Sequence, residues 1–268
     1  MQKRLDIISL GPGRIDQMTL EAKQALLKSK KIYCRFINPI LEYFIKKHKK
    51  VVISLQRFYS NPILVKKSRK KLYFKIAELM VNAALINKRV AFVLPGSALI
   101  AEDTPYLIYR KAKAKGLRVN TILGISFIDV LLNSLPEKYK KHAIDQFELI
   151  PPWRLGTTFF DKRCSYIIFQ VNELFDHFKP AKVKEILSRY YPKEFKFLYV
   201  YPEYPPHRID YRIKTIEFQV SDITRLKEKF EMYSGSVFLP AKLIDAEKSY
   251  RKTLIAFKRY HDFVKNQL

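Results

Sequence analysis

Three glycine-bearing turns are the residues best placed to do chemistry in this 268-residue chain: Gly11-Pro12-Gly13, Pro95-Gly96-Ser97 and Gly124-Ile125-Ser126. Each follows a short strand-like run: Leu5–Leu10, Val90–Leu94 and Arg118–Leu123. In open α/β sheets, ligands bind outside the carboxyl ends of the strands. Glycine at such a point lets the backbone approach a ligand closely and offers unhindered N–H donors. A glycine after a strand is, taken singly, an ordinary turn; three in one half of the chain can line a pocket for a nucleotide-like molecule. Arg14-Ile15-Asp16 follows the first turn, so GxGxxG is not satisfied, and GxxxxGK[ST] is absent. A dinucleotide fingerprint and a P-loop are therefore excluded.

The elements that must hold these turns alternate in type. Beside the three strands, Lys31–Arg35 and Val51–Leu55 read as strands. Helical runs lie at Thr19–Lys28, from Asn38-Pro39 through Ile45, at Ser68–Asn87, at Thr104–Lys115 and at Ile125–Ser134. In Ser68–Asn87, Leu72, Ile76, Leu79, Met80 and Ala83 recur at helical spacing. Thr19 is placed to cap its helix, and Gly116 to stop another. Such alternation predicts an α/β fold with a mostly parallel N-terminal sheet. Pro136, Pro151, Pro152 and Gly156 mark residues 136–157 as a linker between an N-terminal subdomain (1–135) and a C-terminal one (158–268). The second half reads as strands Tyr166–Val171, Lys196–Tyr201, Ile213–Val220 and Ser236–Leu239 with helices at Ala181–Tyr190 and Asp222–Lys229, a mixed sheet. Ala241–Leu268 is basic and aromatic with helical periodicity.

Composition narrows the setting. Hydrophobic residues make up 48% of the chain, enough for packed cores. No apolar run reaches the roughly 18 residues of a membrane span, and the start is too quickly broken for a signal peptide. Cys34 and Cys164 form no CxxC pair and sit near no histidine cluster, which argues against a disulfide framework or a metal site and for a reducing, cytoplasmic setting. The formal net charge is +26. A polyanionic partner, nucleic acid among them, is one reading; lysine-rich solvated faces spread along the chain are the other.

Three segments carry a family resemblance: IISLGPGRIDQMTLEAKQALLKSKKIY at Ile7–Tyr33, VAFVLPGSALIAEDTPYLIYRKAKAKG at Val90–Gly116, and VNTILGISFIDVLL at Val119–Leu132. With looser matches at Tyr166–Val171, Lys196–Tyr201 and Ser236–Pro240, the sequence resembles the tetrapyrrole (corrin/porphyrin) methylase superfamily over roughly residues 5–240. The resemblance implies two α/β domains, a homodimer, and S-adenosyl-L-methionine held in the cleft as cofactor. By position, the cofactor would touch Pro12, Gly13, Gly96, Ser97, Leu99, Ile100, Ser126, Phe127, Gln170, Val200 and Phe238. The family often has Gly-Asp-Pro or Gly-His-Pro where this chain has Gly96-Ser97-Ala98.

Two subgroups are similar in wording. One is the methylase-like domain fused elsewhere to nucleotide pyrophosphohydrolases. The other comprises the borosin-type peptide α-N-methyltransferases, with a pattern like Leu55-Gln56-Arg57-Phe58-Tyr59 followed by Arg69 and Tyr73. That resemblance implies that Tyr59, Arg69 and Tyr73 surround an amide to be methylated. An amide N–H is a weak acid and a poor nucleophile, so the site must polarise the carbonyl and remove the proton. A tyrosine hydroxyl with an arginine that lowers its pKa fits the task. Arg69 and Tyr73, four residues apart on one helix, share a face. Against this, Arg69 lies in a basic run that reads equally as solvated surface, and Tyr73 as core. The expected activity is methyl transfer to a peptide backbone amide on a separate chain. An acidic tetrapyrrole or other small-molecule acceptor is the alternative, and a non-catalytic binding module for nucleic acid or protein is the third.

Overall fold

Five short runs from the first half of the chain pair side by side: β1 (Arg4–Ser9), β2 (Lys31–Cys34), β3 (Val51–Ser54), β4 (Arg89–Leu94) and β5 (Arg118–Ile122). Their order is β3-β2-β4-β1-β5, and every pairing is parallel. The computed structural model describes residues 3–60, 69–87, 89–144, 146–203, 212–232 and 235–241. The predicted basic helix of the C-terminal stretch lies outside these from residue 242 on. The chain divides into two units, Met1–Asn133 with Glu203–Arg212, and Ser134–Pro202 with Ile213–Leu268.

Local chemistry sets the helices of the first unit: α1 (Leu20–Lys28), α2 (Pro39–His48), α3 (Gln56–Tyr59), α4 (Arg69–Ile86), α5 (Thr104–Ala114) and α6 (Phe127–Ser134). Thr19 Oγ1 accepts the Ala22 N–H at 3.2 Å, and Asn38 Oδ1 accepts the Leu41 N–H at 2.9 Å. Both satisfy orphan donors of a first turn. At α6, Ser126 Oγ accepts from Ile128 N and Asp129 Oδ2 accepts from Ser126 N. Gly116, at φ +61°, stops α5 as the sequence predicts.

The helices fall on opposite faces of the sheet. On one, Ala22 and Leu26 of α1 and Ile40 and Phe44 of α2 pack on Ile8, Ile32, Ala91 and Val93. On the other, Leu72, Ile76 and Met80 of α4 and Ile108 and Ala112 of α5 pack on Leu5, Ile7, Val90 and Phe92. A fully buried side chain of this size stabilises by roughly 1.5–3 kcal/mol. Strands β1 and β4 are neighbours, yet the helix after β1 covers one face and the helix after β4 covers the other. That makes the gap between them the topological switch point, where open sheets of this kind take ligands.

At the amino ends of the same two strands lies a buried charge. Asp6 is fully buried in β1, and its carboxylate accepts from Arg4 Nε at 2.5 Å and Arg89 Nε at 2.9 Å. The two arginines keep partial access to water, so one buried carboxylate joins the starts of β1 and β4.

The second unit holds β6 (Phe147–Ile150), β7 (Ser165–Ile168), β8 (Lys196–Glu203), β9 (Arg212–Gln219) and β10 (Ser236–Leu239), in the order β6-β7-β10-β8-β9. β6 runs parallel to β7, and β10 antiparallel to both β7 and β8, so the sheet is mixed. Helices α7 (Glu137–Ile144), α8 (Leu174–His177), α9 (Pro180–Ser188) and α10 (Lys227–Met232) accompany it. An aromatic core fills one face, with Phe160 edge-on to Tyr166 at 4.8 Å and Phe197 to Phe218 at 4.0 Å.

Residues 136–157, expected as a linker, instead contain α7, β6 and a 3-10 turn at Pro152–Thr157. Here the prolines sit at element boundaries. A carboxylate fixes this segment within the second unit: Glu217 of β9 accepts from Lys138 Nζ at 2.6 Å and Tyr139 Oη at 2.7 Å, and pairs with Lys196 at 3.0 Å.

Replacing Asp6 with Asn removes the charge that both arginines grip and leaves the shape. Hydrogen bonds to charged groups contribute about 1.5–3 kcal/mol. The variant should melt several degrees below the parent, on the scale of about 2–4 °C per kcal/mol for a chain of this size, in a calorimetric scan.

Candidate functional site

Beyond the ends of β1 and β4 the ladder continues into the turns. Leu10 N donates to Leu94 O at 2.9 Å. Gly11 N then donates to Gly96 O at 3.3 Å, and Gly96 N to Gly11 O at 2.7 Å, an isolated antiparallel bridge. Both glycines have left-handed backbones, φ +79° and +70°. A Cβ on Gly11 would lie 2.6 Å from the Gln17 carbonyl oxygen, so only glycine fits. A Cβ on Gly96 would meet nothing within 4 Å: the bridge faces open space there.

The third turn joins through Ser9. The Ser9 hydroxyl, fully buried, accepts the Ala98 N–H at 2.9 Å. A Cβ on Gly124 would lie 2.6 Å from Ser9 Cβ and 2.8 Å from Ser9 O, so the third turn rests directly on the end of β1. Thr19 Oγ1 donates to Leu123 O at 3.1 Å and ties the end of the first loop to the same turn. The three glycine turns singled out by sequence thus meet around one serine.

The other candidate cofactor residues take these places. Pro12 and Gly13 are half-buried and lead into a 3-10 turn at Ile15–Gln17. Ser97 Oγ accepts the Leu99 N–H at 3.3 Å, closing its own turn. Leu99 is 58% exposed and Ile100 half-buried. The next residue, Ala101, holds φ +58°, a strained backbone for a residue with a side chain. Ser126 is buried and Phe127 half-buried at the start of α6. Gln170, Val200 and Phe238 belong to the second unit. Gln170 follows β7 with φ +51°, another strained non-glycine position. Val200 pairs with Ser236, while Phe238 pairs with Ile167 and Leu198 and is fully buried.

Tyr59 ends α3 and Tyr73 lies in the first turns of α4; both pack half-buried against the core of Leu55, Leu72 and Ile76. Arg69, half-buried, opens α4 one turn before Tyr73. The structure adds two residues to the tyrosines. Arg35, just after β2, places Cζ 4.6 Å from the centre of the Tyr59 ring. Glu102, half-buried in the loop after β4, is near enough that its charge, like that of Tyr73, opposes ionisation of Tyr59.

Burial pushes the Tyr59 phenol well above its ordinary value, and the Arg35 charge lowers it only in part. Tyr59 is a hydrogen-bond donor at neutral pH, not a base. Burial likewise pushes the Glu102 carboxyl up to about 7, with Arg35 opposing and Asp103 adding. Glu102 is therefore the group that can accept a proton near neutrality. Arg35 directly follows β2 and lies outside the resembling segments, whereas Glu102 lies within the Val90–Gly116 segment, in the loop between β4 and α5.

The family model for Tetrapyrrole (Corrin/Porphyrin) Methylases matches residues 4–201. The uncharacterized protein YabN of Bacillus subtilis (strain 168) is 25% identical over 201 residues, which cover 75% of this chain; the chain spans 38% of that relative's length. Among solved structures, a uroporphyrin-III-C-methyltransferase from Thermus thermophilus is similar with a TM-score of 0.63 at 13% identity, covering 90% of this chain and 93% of that one. The methyltransferase CobJ also gives 0.63, at 14% identity, covering 90% and 96%. A uroporphyrin-III C-methyltransferase from Thermus thermophilus complexed with S-adenosylhomocysteine gives 0.59 at 15% identity, covering 88% and 92%. At these identities the likeness to the solved structures is one of fold.

The raised Glu102 pKa has a measurable consequence. Between the ordinary carboxyl pKa and about 7 the folded chain holds a proton that the unfolded chain releases. The stability linked to that proton is complete at low pH and lost as pH rises through about 7. A Glu102→Gln variant lacks this loss, so its melting temperature relative to the parent should climb from pH 5 to pH 8. A constant difference across that range would remove the carboxyl from this role.

Proposed function

The chain belongs to the tetrapyrrole methylases, a family of S-adenosylmethionine-dependent methyltransferases, and on that premise we propose that the carboxyl edge of its first sheet holds S-adenosylmethionine beside an acceptor seated against Tyr59 and Tyr73. The observation that carries this reading is the Gly11–Gly96 bridge with open space over Gly96. When bound, the cofactor supplies a methyl group on a sulfonium for in-line transfer to a nucleophile. The Gly11–Gly13 turn and the Gly96 turn carry no side chain at their glycines, so an adenosyl group can lie close to the main chain there, against the exposed Leu99.

The acceptor we favour is a peptide backbone amide on a separate chain. Tyr59, neutral at working pH, donates to the amide carbonyl and draws electron density from nitrogen. Glu102 accepts the amide proton, and Arg35 moderates the charge that remains. Tyr73, beside Tyr59, and Arg69, one turn away on the same helix, complete the acceptor side. A second reading has its own support: Arg35 is exposed at the same edge, and a net charge of +26 suits an acceptor rich in carboxylates, such as an acidic tetrapyrrole.

Titration calorimetry with S-adenosylmethionine tests the cofactor half. Heat of binding is expected, together with a melting temperature raised by several degrees, since ligand at a hundredfold over Kd adds about 2.7 kcal/mol. No heat and no shift would leave the third reading, a methylase fold kept as a binding module. Intact-mass screening of peptides and porphyrinogens with a labelled methyl donor tests the acceptor half. On the acceptor so found, Glu102→Gln should slow transfer by roughly 10²–10⁴-fold, as for a lost acid–base group; undiminished turnover would place Glu102 outside the mechanism.

A further inference from the structure

Helices α4 and α5 pack side by side on the sheet, and their outward stripes are unusual in composition. Phe74 is 51% exposed, Tyr106 63% and Tyr109 38%. Tyr109 turns its hydroxyl to Thr121 of β5, which leaves Phe74 and Tyr106 as the outward rings of the two helices; exposed apolar surface of this kind marks an interaction surface. Cations are interleaved with them. Lys111 Nζ lies 3.6 Å from the centre of the Phe74 ring, which joins the two helices, and Arg110 Cζ lies 5.8 Å from that of Tyr106. Beyond Arg69, which faces the acceptor side, the sequence places six Lys or Arg residues over both helices against one carboxylate, Glu78, and that carboxylate is 3.9 Å from Lys111.

Two features decide what this face fits. A second copy of the chain meeting it across a two-fold axis would set like charges against each other. The partner is therefore anionic. The rings require in addition that the partner offer flat, stackable groups. A duplex hides its base faces within the stack and presents only phosphates and groove edges. Single-stranded nucleic acid offers both phosphates and free base faces, and proteins bind it through such rings set in a positive track. We propose that the outer face of α4 and α5 binds single-stranded nucleic acid, with bases stacked on Phe74 and Tyr106 and phosphates held by the flanking lysines and Arg110. None of these residues enters the methyl-transfer site described above, so the inference stands apart from it.

Fluorescence anisotropy of the full chain with a labelled short oligouridylate, at physiological salt and over a salt series, tests the proposal. The oligouridylate should bind more tightly than a duplex of the same length. Phe74→Ala or Tyr106→Ala should weaken binding by about tenfold, the scale of a lost stacked base. Lys75→Ala should reduce the slope of log affinity against log salt by about 0.7, the loss of one phosphate contact to a single strand. Phe159→Ala, at a still more exposed aromatic of the second unit, should leave binding unchanged. Circular dichroism melts check that the variants fold, which their surface position favours. Equal affinity for the duplex, indifference to both ring variants, binding only to phosphatidylserine vesicles, or sedimentation showing copies joined through this face in place of RNA binding would each overturn it.

Discussion

Two amide-to-carbonyl bonds between Gly11 and Gly96 hold the candidate site together, and most of the first unit can be understood as what makes them possible. A parallel ladder ordinarily ends where the strands part to enter their helices. Here β1 and β4 send their helices to opposite faces, so the strands separate into a gap rather than under a common cover. Backbone groups left in that gap need partners. The two glycines supply them to each other, at dihedrals that residues with a Cβ rarely adopt. Ser9, at the very end of β1, then draws in the second turn through its hydroxyl and the third by direct packing. The hollow is thus walled by main chain already satisfied internally, so a ligand need not pay for ordering the loops that receive it.

The carboxyl edge divides by chemistry. Around β1, β4 and β5 it is glycine, serine and exposed aliphatic side chain. Around β3 and β2, and in the loop after β4, it carries Tyr59, Arg35 and Glu102, with Tyr73 and Arg69 on the helix that follows β3. The first part suits a ligand recognised by shape and apolar contact. The second suits a group whose proton must move. Their placement follows from the strand order: β2 and β3 lie to one side of the switch point and β5 to the other.

Much of this was legible in the chain. Thr19, Asn38 and Gly116 bound their helices as capping chemistry dictates, and the five strands of the first unit fall where apolar runs meet turn residues. The convergence of the glycine turns was inferable because a parallel sheet brings all its carboxyl ends to one edge. What failed did so for physical reasons. Pro136, Pro151 and Pro152 punctuate the chain as a linker does, yet proline is equally at home just before or after an element, and α7 and β6 are too short to show a period. The direction of the Tyr59 shift depends on burial, which neighbouring residues in sequence do not reveal. Glu102 lies within a segment that carries the family resemblance, and Arg35 just beyond one, but neither spacing pairs them with Tyr59; only folding places them there.

Strands β1 and β4 are fastened at both extremities, by the Asp6 carboxylate between Arg4 and Arg89 at one end and by the paired glycines at the other. A ladder anchored this way cannot fray from either tip without first giving up an ionic clasp or two main-chain bonds. Core strands held in this way are the portion of a domain that opens last. Loops that receive ligands are commonly drawn from a protein's least stable regions. These are instead mounted on a girder, so local breathing of the chain leaves the shape of the hollow intact.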